Sequence, residues 1–152
     1  MQRERLRQLF DFDLWANRRV LEDIQAAADP GESVRLFGHI LGAQAVWLAR
    51  LGGSSSAGIA VWPERTLEAC TPEMERLARD LRAYLDSASE DSLVTPINYR
   101  LQDGKTQHTH KPADLLTHLA LHGQHHRGQI LWELRKLGQS ARSADMIFFL
   151  RE

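Results

Sequence analysis

The chain has 152 residues, 43% of them hydrophobic and 26% charged, with a formal net charge of −1. That length supports one well-filled core in a single domain over residues 1–152, and the near-neutral balance without a basic block argues against nucleic acid or an anionic membrane as partner. No apolar run is long enough to span a bilayer, the charged opening Met1-Gln-Arg-Glu-Arg-Leu-Arg lacks the apolar core of a secretory signal, and the lone cysteine, Cys70, excludes an internal disulfide and points to a cytoplasmic setting.

The elements read as all-α: four helices and two long connections. A first helix over about residues 3–28 repeats Leu6, Phe10, Val20, Leu21 and Ile24 at helical spacing. Asp29-Pro30-Gly31 ends it. A second runs from Ser33, read as its cap, to Leu51 before Gly52-Gly53, with Leu36, Ile40, Ala43, Trp47 and Leu51 inward. Residues 52–70, rich in glycine and serine and then apolar from Ile59 to Pro63, can run the length of a bundle and so join parallel helices. The third helix is expected at Thr71-Pro72, a capping residue before a proline, and carries Met74, Leu77, Leu81 and Leu85. Alternation over Ile97–Leu101, the turn signal Asp103-Gly104 and a return to His110 predict a small β-hairpin or flap. The last helix runs from Pro112 to just before Gly138, with Leu115, Leu119, Gly123, Ile130, Leu134 and Leu137 as its stripe.

That last helix holds four of the seven histidines within residues 118–126. On a helical wheel His122 and His126 fall on or beside the apolar stripe, whereas His118 and His125 lie further round. An i, i+4 histidine pair on one face is how a helix presents two ligands to a transition metal, and buried imidazoles need partners in any case. Such a site needs a third ligand. His39, beside the stripe of the second helix, is the leading candidate; Cys70, His108 and His110 compete.

Polar residues inside the first helix's stripe are a second signal. Asp13 and Asn17 either orient a ligand histidine or bond one helix to another. Arg127 and Gln129 follow the histidines closely and either contact substrate or bridge helices, with a surface role as the default reading. Phe12 and Trp15, like Leu121 and Trp132, point away from the main stripes, which suggests a further packing layer and leans toward a homodimer.

These residues carry a family resemblance. Leu-His122-Gly-Gln-His125-His126-Arg127-Gly-Gln129 is similar to the His-Gly-x-His-His-Arg-Gly-Gln signature of the DinB/YfiT-like proteins. Trp15-Ala16-Asn17, the segment around His39 through Trp47-Leu-Ala-Arg-Leu51, and the closing Ala144-Asp145-Met-Ile-Phe-Phe-Leu resemble the same family, and the resemblance covers nearly the whole chain. It implies an up-down-down-up four-helix bundle with zinc or nickel on His39, His122 and His126, and frequent dimers. It also implies a low-molecular-weight thiol as co-substrate of S-transferase or isomerase chemistry, or hydrolysis in other members, and a stress-related, damage-inducible setting without DNA binding.

The expectation is therefore a metalloenzyme acting on a small molecule. Three imidazoles leave a coordination position open, and a metal-held thiol or water is nucleophilic at neutral pH. The 52–70 loop and the 97–110 flap are expected to wall the site, with Asp13, Asn17 and Arg127 in support. The alternatives are a non-catalytic metal-binding bundle, and an interaction module whose histidines are structural.

Overall fold

A computed structural model describes all residues 1–152. Six helices and one antiparallel hairpin follow in the order α1 (Gln2–Ala26), α2 (Ser33–Leu51), α3 (Leu67–Ser87), α4 (Glu90–Val94), β1 (Ile97–Arg100), β2 (Gln107–His110), α5 (Pro112–Lys136) and α6 (Met146–Phe149). Each of the four long helices packs chiefly against two others: α1 and α2 each lie against both α3 and α5.

The apolar stripes form two clusters. One joins Val20, Leu21 and Ile24 of α1 to Phe37 and Ile40 of α2, Met74 and Leu77 of α3, and Ile130 and Leu134 of α5. The other joins Leu6 and Phe10 to Ala43 and Leu51, Leu81 and Leu85, and Leu115 and Leu119. Among these stripes on α1, α2 and α5 lie Asp13, Asn17, Gln44 and Arg127, all buried.

The hairpin forms where the turn signal places it. Ile97 pairs with His110 and Arg100 with Gln107. Asp103 Oδ1 accepts from the N–H groups of Lys105 and Thr106, and Gly104 takes the left-handed backbone (φ 68°) that the turn requires.

Two helix starts differ from expectation. Ser33 is the first residue of α2 rather than its cap: a turn through Pro30 runs into the helix, and the Ser33 N–H donates to the Pro30 carbonyl. α3 begins five residues before Pro72, because Thr66 provides the cap by accepting from the Ala69 N–H. Pro72 sits in the second turn, where its missing N–H forfeits a single backbone bond. Cys70 is consequently inside a helix and fully buried, its thiol donating to the Thr66 carbonyl.

The outward aromatics of α1 are covered within the chain. Phe149 of α6 packs on both Phe12 and Trp15, and Trp15 Nε1 donates to Glu152. Leu121 and Trp132 stay exposed on α5. No helix is long and apolar enough to cross a membrane.

Candidate metal centre

α2 and α5 pack closely, and this brings His39 against the His122–His126 pair. One ring nitrogen of each lies within 4.8 Å of the others. His122 Nε2 stands 3.1 Å from His39 Nε2 and 3.1 Å from His126 Nε2. His39 is buried and the other two are half-buried.

The neighbours of two of the three rings assign a proton to Nδ1, for His126 through the orientation of the Gln129 amide. His39 Nδ1 is 2.8 Å from the Val61 carbonyl oxygen, which can only accept, so Nδ1 donates and Nε2 holds a lone pair. His126 Nδ1 does the same toward Gln129 Oε1 at 2.6 Å. His122 Nδ1 is buried without a partner, so nothing fixes that tautomer. Two lone pairs therefore face His122 Nε2, which as a neutral ring can donate at most one proton.

A cation resolves this arrangement where a proton cannot. Two nitrogens each ~2.0–2.1 Å from one zinc ion at near-tetrahedral angles stand roughly 3.1–3.4 Å apart, as His122 Nε2 stands from each of the other two. The electrostatics agree with neutral, ligating imidazoles. Burial first, and then the neighbouring histidines led by His126, pushes His122 from 6.5 down to about 4. Burial also lowers His39 and His126. The three-histidine cluster fits a divalent metal site.

A strap from the α2–α3 connection closes one side. Gly42 lets it approach: a Cβ there would stand 2.6 Å from the Val61 carbonyl oxygen and 2.8 Å from Pro63 Cδ. Trp62 stacks on His39 with ring centroids 3.7 Å apart and 5° between planes, and the Arg35 guanidinium lies over the same indole. The expected loop wall is thus present. The hairpin stands further off: Tyr99 meets Trp47, Trp47 meets His118, and His118 meets His122.

The other candidates fall elsewhere. His108 and His110 lie exposed on β2, with His110 Nδ1 bonded to the Tyr99 hydroxyl. His118 and His125 are exposed on α5. Cys70 is sealed in α3, its thiol pushed up by burial.

Asp13, Asn17 and Arg127 form a separate network. Arg127 is fully buried rather than a surface residue. Its Nη1 donates to Asp13 Oδ1 at 2.6 Å and to Asn17 Oδ1 at 2.7 Å, and its Nε donates to Gln124. Gln44, which the sequence reading missed, donates to Asp13 Oδ2 at 2.7 Å. None of these groups bonds to a histidine of the cluster, so the helix–helix alternative describes Asp13 and Asn17. Gly123 makes room, since a Cβ there would meet Asp13 Oδ1 at 2.9 Å and Arg127 Nη1 at 3.1 Å. The residues missed nearer the cluster are Val61, whose contact is a backbone carbonyl, and Trp62.

The model of the DinB family matches residues 5–152, and the chain belongs to that family. No curated protein matches it.

Proposed function

From membership of the DinB family and the convergence of three imidazoles, we propose that this protein is a metal-dependent enzyme whose ligands are His39, His122 and His126. The observation that carries the reading is the pair of Nε2 lone pairs, held by Val61 and Gln129, that converge on His122 Nε2. Zinc or nickel suits a set of neutral nitrogen donors. When bound, the ion supplies Lewis acidity and lowers the pKa of a thiol or water beside it.

The chain's own residues prepare that chemistry. Val61 and Gln129 hold two imidazoles with Nε2 inward, Trp62 shields His39, and burial disfavours the protonated form of each ring. The Asp13–Arg127 pair ties α5 to α1 next to His126 and so fixes the helix that carries two ligands. The proposed reaction is transfer of a low-molecular-weight thiol to a small electrophile, with hydrolysis as its alternative.

The wider reading is a single DinB-like domain over 1–152 in the cytoplasm, an up-down-down-up bundle, and a homodimer. The grouping of the N-terminal half of α1 with the C-terminal halves of α2 and α3 and the N-terminal half of α5 supports that helix order. Exposed Leu121 and Trp132 support the dimer, which light scattering checks.

The test is metal content by plasma mass spectrometry on untagged protein beside His122→Ala, followed by turnover of monochlorobimane with a panel of thiols. Near-stoichiometric metal, lost in the variant, and a metal-dependent rate support the proposal. Metal without turnover of any thiol or ester substrate favours a non-catalytic or stress-related role, in which the ion staples α2 to α5. Failure to bind zinc or nickel at all overturns the metal reading.

A further inference from the structure

Arg50 is a buried cation that lacks an anion. It occupies the last turn of α2 and is 7% exposed. Its Nε donates to Ser56 Oγ at 3.0 Å, and its guanidinium lies over the rings of Trp47 and Tyr99. No carboxylate pairs with it. Neither Nη atom donates to the protein, yet neither is sealed among the buried polar atoms without partners. Burial opposes its charge and lowers its pKa. The C-terminal carbonyls of α2 offset part of that cost, but none accepts a hydrogen bond from it.

The guanidinium opens on a cavity of about 250 Å³ whose lining contains no acidic side chain. Ser54, Ser55, Asn98 and Arg100 also line it, and the Arg100 guanidinium, bonded to the Gly104 carbonyl at the hairpin turn, adds a second positive charge nearby. His39, Trp47 and Arg50 share one face of α2, and the eleven residues from His39 to Arg50 place this cavity about 16 Å along the helix from the histidine cluster.

We propose that the cavity beside Arg50 binds a small oxyanion, a phosphate or carboxylate group, with the Arg50 guanidinium as its main partner. A planar fork of free N–H donors is suited to two-point recognition of either group. The stacked Trp47 and Tyr99 hold the fork in place, so little side-chain freedom is lost on binding. Hydroxyls of the serine run 54–56 can donate to the remaining oxygens.

The test is titration of isotope-labelled protein with inorganic phosphate and, separately, with acetate, read by NMR at the Arg50 Nε–H and at the backbone amides of residues 53–56 and 98–100. The site predicts saturable shifts confined to these resonances, with the tighter anion assigning the ligand to the phosphate or the carboxylate class. Arg50→Gln is expected to weaken binding roughly tenfold or more. Where Arg50→Gln does not fold, Arg100→Gln, an exposed substitution, decides instead with an expected loss of about two- to fivefold. Absent shifts with both anions, or shifts of equal affinity in the folded variants, overturn the proposal.

Discussion

The protein contains two clusters of polar side chains between its long helices, and they differ in how their charges and lone pairs are matched. In the Asp13–Arg127 network the charges are opposite, the amides of Asn17 and Gln44 complete the pattern, and Asp13 and Arg127 are almost wholly enclosed. In the histidine cluster three like groups face one another, two of them fixed as acceptors. The first arrangement pairs its charges within the chain, leaving only Arg127 Nη2 without a partner, and acts as structure. In the second, two lone pairs meet one nitrogen, an arrangement that fits a divalent cation and on which the proposed function rests.

Breaking the first cluster is expected to have the largest effect. Arg127→Met leaves the Asp13 carboxylate buried without its cation, and losing one partner of such a pair costs about 3–5 kcal/mol. Urea denaturation measures this. A change near zero would mean that the network contributes little to holding α1 on α5.

Gly42→Ala tests the strap. The added methyl collides with the Val61 carbonyl and Pro63, and overpacking of this kind costs about 1–3 kcal/mol. Because Val61 orients His39, zinc affinity is expected to fall together with stability. Undiminished zinc affinity would show that the strap does not position that ring.

Gln129→Leu sharpens the contrast, since Gln129 is exposed and its bond to His126 is its only assigned role. Loss of such an outer partner lowers metal affinity roughly 10–100-fold. Chelator competition reads this, while the urea midpoint of the metal-free variant is expected to stay within about 0.5 kcal/mol of the parent.

The smallest expected effect is on pH dependence. In the metal-free protein His122 protonates at about 4, against an ordinary value of 6.5. Between those values the unfolded chain binds the proton and the folded chain does not. Stability present above pH 6.5 is therefore lost as pH falls toward 4. His122→Gln is expected to flatten that slope in denaturation series; an unchanged slope would assign it to other groups.

Much of this was readable before the structure. Helical periodicity located the four long helices to within a few residues at most ends, and the Asp103-Gly104 signal located the hairpin. The i, i+4 pair of His122 and His126 was legible because both residues lie on one helix, whereas His39 required a long-range packing that periodicity alone does not determine. For Arg127 the default surface reading fails and the helix-bridging alternative holds, and a signal for it existed: it lies four residues after Gly123 on the α5 stripe, and Asp13 and Asn17 interrupt the α1 stripe. An arginine and a carboxylate on inward faces imply a buried pair. Val61 was not legible at all, because its contact with His39 uses a backbone carbonyl, which any residue type supplies. The start of α3 was misplaced because Thr71-Pro72 resembles a helix opening more strongly than the true cap, Thr66.

X-ray absorption at the metal edge of the zinc- or nickel-loaded protein tests the central claim most directly. The account predicts a first shell containing three imidazole nitrogens at ~2.0–2.1 Å, reduced to two in His39→Ala. A sulfur scatterer from Cys70, or a shell of three imidazoles that persists in His39→Ala, would contradict it.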